Sequence, residues 1–145
     1  MKKVILTACA AVFLVSCGMF TQQSPKKARV TANEFLNALY IRGNTDEAIS
    51  MTSDAFKNAN GAAMLVSLRE KMERDFVKLE GIRSEAYLHE NKDEITMLYL
   101  GISEKAFSYH RLVLSGNSAK GYRVESVSLS EMPYMGYRTL KSFKD

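Results

Sequence analysis

The chain has 145 residues, with 20 basic and 16 acidic side chains and a formal charge of +4. This length suits one domain with a sizeable core. The bases are scattered among acids instead of forming a stripe, which excludes a nucleic-acid footprint, and two cysteines are too few for a disulfide framework.

Lys2 and Lys3 open the chain, and an apolar run follows from Val4 to Val15 with Thr7 as its clearly polar residue. The run has the layout of a secretory signal and is too short for about 30 Å of hydrocarbon, which takes about 20 apolar residues. It stops at Leu14-Val15-Ser16-Cys17. This stretch resembles the lipobox of bacterial lipoproteins. The resemblance implies cleavage between Ser16 and Cys17, a diacylglycerol on the Cys17 sulfur and an acyl chain on its amine. Residues 1–16 then read as a signal peptide that carries Cys9 away with it, and the mature chain can form no disulfide. Two or more acyl chains hold a protein firmly where one is marginal. The expectation is a lipoprotein of the cell envelope, bound to the membrane by its lipid. Gly18 stands where Asp often marks inner-membrane retention, which points to the outer membrane, facing the periplasm, in a diderm.

Residues 18–25 are mostly small or polar and, with Cys17, read as a tether whose random-coil reach is about 15 Å. A domain over 26–131 and an extension over 132–145 follow. From Lys26, residues Ala32, Phe35, Leu36, Leu39 and Tyr40 recur at helical spacing, and Gly43 makes a good stop. Asn44 or Thr45 can cap a second helix, about 46–56, whose first turn holds Asp46 and Glu47 at the positive end of the dipole. A third helix over about 62–79 buries Leu65, Leu68, Met72, Phe76 and Leu79. Its charged face includes an expected Glu70–Arg74 pair and reads as solvated.

After Gly81 the period becomes two. Strands are expected over about 82–90, 94–103, 106–114 and 122–129, with turns at Asn91-Lys92-Asp93, at Ser103-Glu104-Lys105 and over 115–121. In the first strand Ile82, Ala86 and Leu88 fall on one side. In the last, Tyr122, Val124, Ser126 and Ser128 oppose Arg123, Glu125, Val127 and Leu129. Three helices followed by about four antiparallel strands make the fold class α+β, with helices on one face of a curved sheet.

Two segments, "LYIRGNTDEAI" and "AKGYRVESVSL", are similar to the helix corner and closing strand of the cone-shaped superfamily of nuclear transport factor two and ketosteroid isomerase. The resemblance covers about residues 28–130 and is nearest to small lipoprotein members of unknown function. It implies a cone-like fold. The superfamily's catalytic residues find no matching positions here, so no catalytic site is carried over.

Candidate sites come from the residues themselves. Tyr87, Tyr99, Tyr109 and Tyr122, with His110, fall on expected strands, where a phenol offers apolar surface with one polar tip to a pocket. Core filling is the competing use of the same rings. His89 and His110, with Glu90 or Glu104, would make an acid–base or metal site only if they met across the sheet, and two distant histidines are a poor zinc signature, so no metal and no cofactor besides the lipid is expected. Met132, Tyr134, Met135 and Tyr137, followed by Arg138, Lys141 and Lys144, suit a protein contact or anionic head groups. The other reading of this tail is an extension that wraps the helices. Two functions follow. The first is a non-catalytic lipoprotein presenting its domain to an envelope protein or ligand. The second is a small-molecule-binding or enzymatic cone with a tyrosine-lined pocket.

Overall fold

The computed structural model describes residues 22–137 and 140–143; Cys17, the apolar run before it, Arg138 and Lys144 lie outside the described residues. Helix α1, Pro25–Leu36, begins with a proline in its first turn, and its N-cap Ser24 accepts a hydrogen bond from the Lys27 amide. Ala28, Ala32, Phe35 and Leu36 form its buried stripe, which a wider turn over Asn37–Ile41 continues with Ala38 and Leu39.

The second expected helix is two. Helix α2 spans Thr45–Ser50, and its cap is Asn44, whose side chain accepts from the Glu47 amide at 3.1 Å. Helix α3 spans Asp54–Asn58. Between them Thr52 pairs with Val124 as a parallel bridge. Two backbone bonds flank that bridge, from the Ser53 amide to the Val124 carbonyl and from the Val124 amide to the Met51 carbonyl. Ser53 then caps α3 by accepting from the Phe56 amide. A single helix here would forfeit the bond to the sheet.

Helix α4, Gly61–Lys71, runs on through a widened turn, Met72–Phe76, and stops at Val77, whose φ of 75° is a conformation that a β-branched residue adopts only under constraint. Leu65, Met72 and Phe76 are buried as the spacing predicts, but Leu68 is only partly buried, and Leu79 is buried as the first residue of a strand and not as the end of the helix, which Val77 has already stopped. The expected Glu70–Arg74 pair is not made: Arg74 turns to neighbouring Asp75 at 2.9 Å, because the widened turn carries it off the row. The pairs formed are Arg69–Glu73 and Lys71–Asp75. The arginine and lysine contacts hold the Asp75 carboxyl below its usual range.

The sheet is antiparallel with order β4-β3-β2-β1-β5. Its strands are β1 Leu79–His89, β2 Glu94–Ser103, β3 Phe107–Asn117, β4 Gly121–Ser130 and a short β5, Lys141–Ser142. The class is therefore α+β, with helices over one face of an antiparallel sheet that fits a cone-like shape. The helix-facing side buries Ile95, Met97, Leu112, Leu114 and Val124 against Phe35, Leu36 and Leu39. Each such side chain stabilises by about 1.5–3 kcal/mol relative to exposure.

Two bulges overturn the strand faces expected above. The β1/β2 register shifts between Ile82 and Ser84, so that Ile82 shares the helix-facing side with Glu85, Tyr87 and His89, while Ala86 and Leu88 take the outer face. The β3/β4 register shifts beside Leu114, so the buried set of β4 is Tyr122, Val124, Val127 and Leu129. Ser126 and Ser128 turn outward. Glu125, the extra residue, is held by Ser53 Oγ at 2.6 Å and by Ser115 Oγ.

Candidate functional site

The candidate strand residues do not share one pocket. Register places Glu85, Tyr99 and His110 in a row across three strands on the helix-facing side. Tyr109, adjacent to His110 in an extended strand, faces the other way. Tyr99 is 2% and His110 0% exposed. Burial, with the Glu85 carboxylate next in effect, pushes the Tyr99 phenol far above its ordinary value.

Helix α1 lays polar groups over this row. Arg29 forms an ion pair with Glu85, and Asn33 Nδ2 donates to Glu85 Oε1 at 3.1 Å. His110 Nε2 shares a 3.0 Å hydrogen bond with Ser108 Oγ. Gly101 makes room for that bond: a Cβ there would lie 2.5 Å from Ser108 Oγ and 3.1 Å from His110 Nε2. The Tyr40 ring tilts against the imidazole with centroids 5.3 Å apart. Desolvation holds His110 down at about 4, hence neutral, and raises the Tyr40 phenol. Among the described residues, Tyr40 Oη, Tyr99 Oη and His110 Nδ1 have no hydrogen-bond partner.

His89 sits opposite Ile95 and His110 opposite Tyr99, four residues apart along β2, so the histidines do not meet. His89 instead contacts Gln23 through Nδ1. Glu90 accepts from Thr96 and lies 3.9 Å from Arg111. Glu104, the other acid proposed for that site, lies in the β2–β3 turn, beyond the opposite end of the strand from His89. Among the described residues no group of three or more His, Cys, Asp or Glu side chains could hold a metal ion.

Tyr87 and Tyr122 serve the domain's other end. Tyr122 Oη accepts from the Ser24 amide at 2.6 Å, pinning the start of α1. Tyr87 lines a groove of about 840 Å³ formed by Gln22–Lys26, Ser118 and Leu140–Phe143. A smaller groove of about 240 Å³ lies at Tyr40, Arg42, Arg69 and Val77. Its arginines are engaged: Arg42 holds Glu34 and Glu47, and Arg69 donates to the Gly43 carbonyl and Thr45 Oγ1.

The C-terminal segment does not wrap the helices. It leaves β4 at one edge of the sheet, and Tyr134 donates to outward-facing Ser128 at 2.9 Å. It rejoins at the other edge, where Lys141–Ser142 pairs with Ala86 and Tyr87. Phe143 then stacks on Tyr87 at 4.7 Å beneath the Arg29 guanidinium. Lysine on an edge strand also discourages further pairing. Met132 and Met135 stay exposed, at 72% and 87%, and Tyr137 is half-buried. Phe143→Ala is expected to cost about 1–2 kcal/mol through the lost stack and cation–π contact. Hydrogen exchange should quicken at the one of the two consecutive amides, Ala86 or Tyr87, that points toward β5, while that of Leu112 stays slow; unchanged exchange at both would show that Phe143 does not hold the strand.

Arg29, Asn33, Tyr40 and Glu85 were not among the sequence candidates. Their signal is the spacing of Arg29 and Asn33 on one helix face, but the bulge that turns Glu85 toward them leaves no local mark. No protein-family model matches the chain, and no curated protein or solved structure is significantly similar to it.

Proposed function

We propose that this chain is a lipid-anchored envelope protein, acylated at Cys17, whose α+β domain is presented to a protein partner or ligand and is not itself catalytic. The observation that carries the reading is Leu14-Val15-Ser16-Cys17 directly after a basic start and an apolar run. Two structural features support it. The first described residues are bonded onto the domain: Gln22 accepts from the Ser118 amide, and Gln23 Nε2 donates to the Asn91 carbonyl. Met132 and Met135 present adaptable apolar surface to solvent beside a fixed sheet. Among the described residues no helix is long and apolar enough to cross a membrane.

The proposal keeps the cone superfamily as the fold relative and the outer membrane of a diderm as the destination. The pocket reading draws support only from Tyr87 in the larger groove, since Tyr99, His110 and Tyr122 are buried and Tyr109 faces outward.

Intact-mass analysis of the protein extracted from the cells that make it tests this directly. The expected species begins at Cys17 and carries a diacylglycerol and an amide-linked acyl chain. A chain beginning elsewhere, or an unmodified Cys17, would overturn the proposal. Under native conditions a co-purifying protein mass supports the partner reading. A small added mass lost in Tyr87→Ala would favour the pocket.

A further inference from the structure

We propose that the end of the domain bearing the larger groove docks onto anionic phospholipid headgroups of the bilayer that holds the Cys17 lipid, with Lys26 and Lys141 as the cations that meet the phosphates. This rests on the acylation of Cys17 proposed above. Chain length and charge then lead to the docked face.

The bonds of Gln22, Gln23 and Ser24 to Ser118, Asn91 and Tyr122 fix where the chain leaves the domain. Cys17 precedes Gln22 by five residues, and five residues span at most about 18 Å even when fully extended. The groove opens at this exit, between Gln22–Lys26, the β3–β4 turn at Ser118 and the C-terminal strand. Tyr87 and Phe143, in ring contact, are among the residues that line it, and aromatic rings of this kind sit well at the boundary between headgroups and acyl chains.

Charge at this end favours an anionic surface. Lys26 and Lys141 line the groove, and Lys92 and Lys120 stand in the two turns beside it. All four are exposed, and none makes an ion pair among the described residues. Lys27 also lies here, its Nζ donating to the Ser118 carbonyl at 2.8 Å. The acids here are Glu90, Asp93 and Glu94; Glu90 faces Arg111, while Asp93 and Glu94, the latter bonded by the neutral Asn91 amide at 2.6 Å, keep their charge. Lys26, Lys27, Lys92, Lys120 and Lys141 outnumber these three carboxylates. A lysine near an anionic bilayer gains about fivefold in partitioning, and the tether keeps this face within a few screening lengths of the surface.

Lysine footprinting of the complete lipoprotein tests the docking. The acylated protein is placed in nanodiscs of phosphatidylcholine alone or with phosphatidylglycerol added, then treated briefly with a water-soluble acetylating reagent. Lys26 and Lys141 should react about fivefold more slowly in the anionic discs, and high salt should abolish the difference. Lys105, in the β2–β3 turn at the opposite end, should react equally in both. In the chain carrying Lys26→Gln and Lys141→Gln, the protection of Lys92 and Lys120 should also disappear. Equal rates at Lys26 and Lys141 in the two discs, with the acyl mass present on Cys17, would overturn the docking and leave the anchor standing. Absence of the acyl mass would overturn both.

Discussion

Replacing Gly116 by alanine should destabilise the domain by about 3–5 kcal/mol, the sum of a backbone penalty and a steric one. Gly116 has φ of +129°, a region that side chains other than glycine's rarely enter. A Cβ there would also lie 2.1 Å from the Gly121 carbonyl oxygen across the β3/β4 ladder. That neighbour is backbone, and Asn117 pairs with Gly121 beside it, so neither strand can move aside without opening the turn. The Gly116 amide also donates to the Asp93 carbonyl, which links this turn to the β1–β2 turn.

Gly121→Ala is the internal control. Its φ is +81°, but nothing lies within 4 Å of the added Cβ, so only the backbone penalty of about 1–2 kcal/mol applies. Urea unfolding of both variants should show Gly116→Ala with the lower midpoint at an unchanged slope. Equal midpoints would mean that the contact across the ladder is relieved by a small shift of the turn. Because Ser118 in this turn lines the larger groove and accepts from Lys27, Gly116→Ala should disturb the proposed docking face as well.

The helical half of the fold was legible because its signals are local. Phe35, Leu36 and Leu39 are buried where their spacing put them, and Asn44 caps α2 from its expected place. The split between α2 and α3 was less visible, because what breaks the helix at Thr52 is a bridge to Val124, far away in sequence. The bulges fail for the same reason. Strict alternation assigns Glu85 and Val127 to the wrong faces, and the groups that stabilise the extra residue at Glu125 come from Ser53 and Ser115. One error was avoidable from sequence alone: Tyr109 and His110 are consecutive in a strand and therefore never line the same pocket. The tail's path was not readable, since it depends on Tyr134 meeting Ser128 and on Phe143 meeting Tyr87 across the width of the sheet.

Acidification supplies the other large effect, and it centres on His110. The imidazole is fully buried against Tyr40 and Ser108, beside Tyr99, and burial holds it at about 4 against 6.5 for an unburied histidine. In the unfolded chain it takes up its proton first as pH falls, so protons favour unfolding between these values. The stability from keeping it neutral is fully present above pH 6.5, declines through the interval and is lost below about 4. The shift corresponds to roughly 3 kcal/mol. Carboxylates, Glu85 among them, add their own acid sensitivity, so the informative quantity is the difference from a chain that lacks the imidazole. His110→Asn retains a group able to bond Ser108 and does not titrate. It should be less stable than the parent at pH 7.5, where the native ring packs neutral against Tyr40, and the gap should close by roughly 3 kcal/mol as pH falls to 4. Proton NMR of the His110 ring in the folded protein should show no titration down to about pH 5. A midpoint near 6.5 would mean that water reaches the ring, and would return His110 and the Tyr99 beside it to consideration as pocket residues.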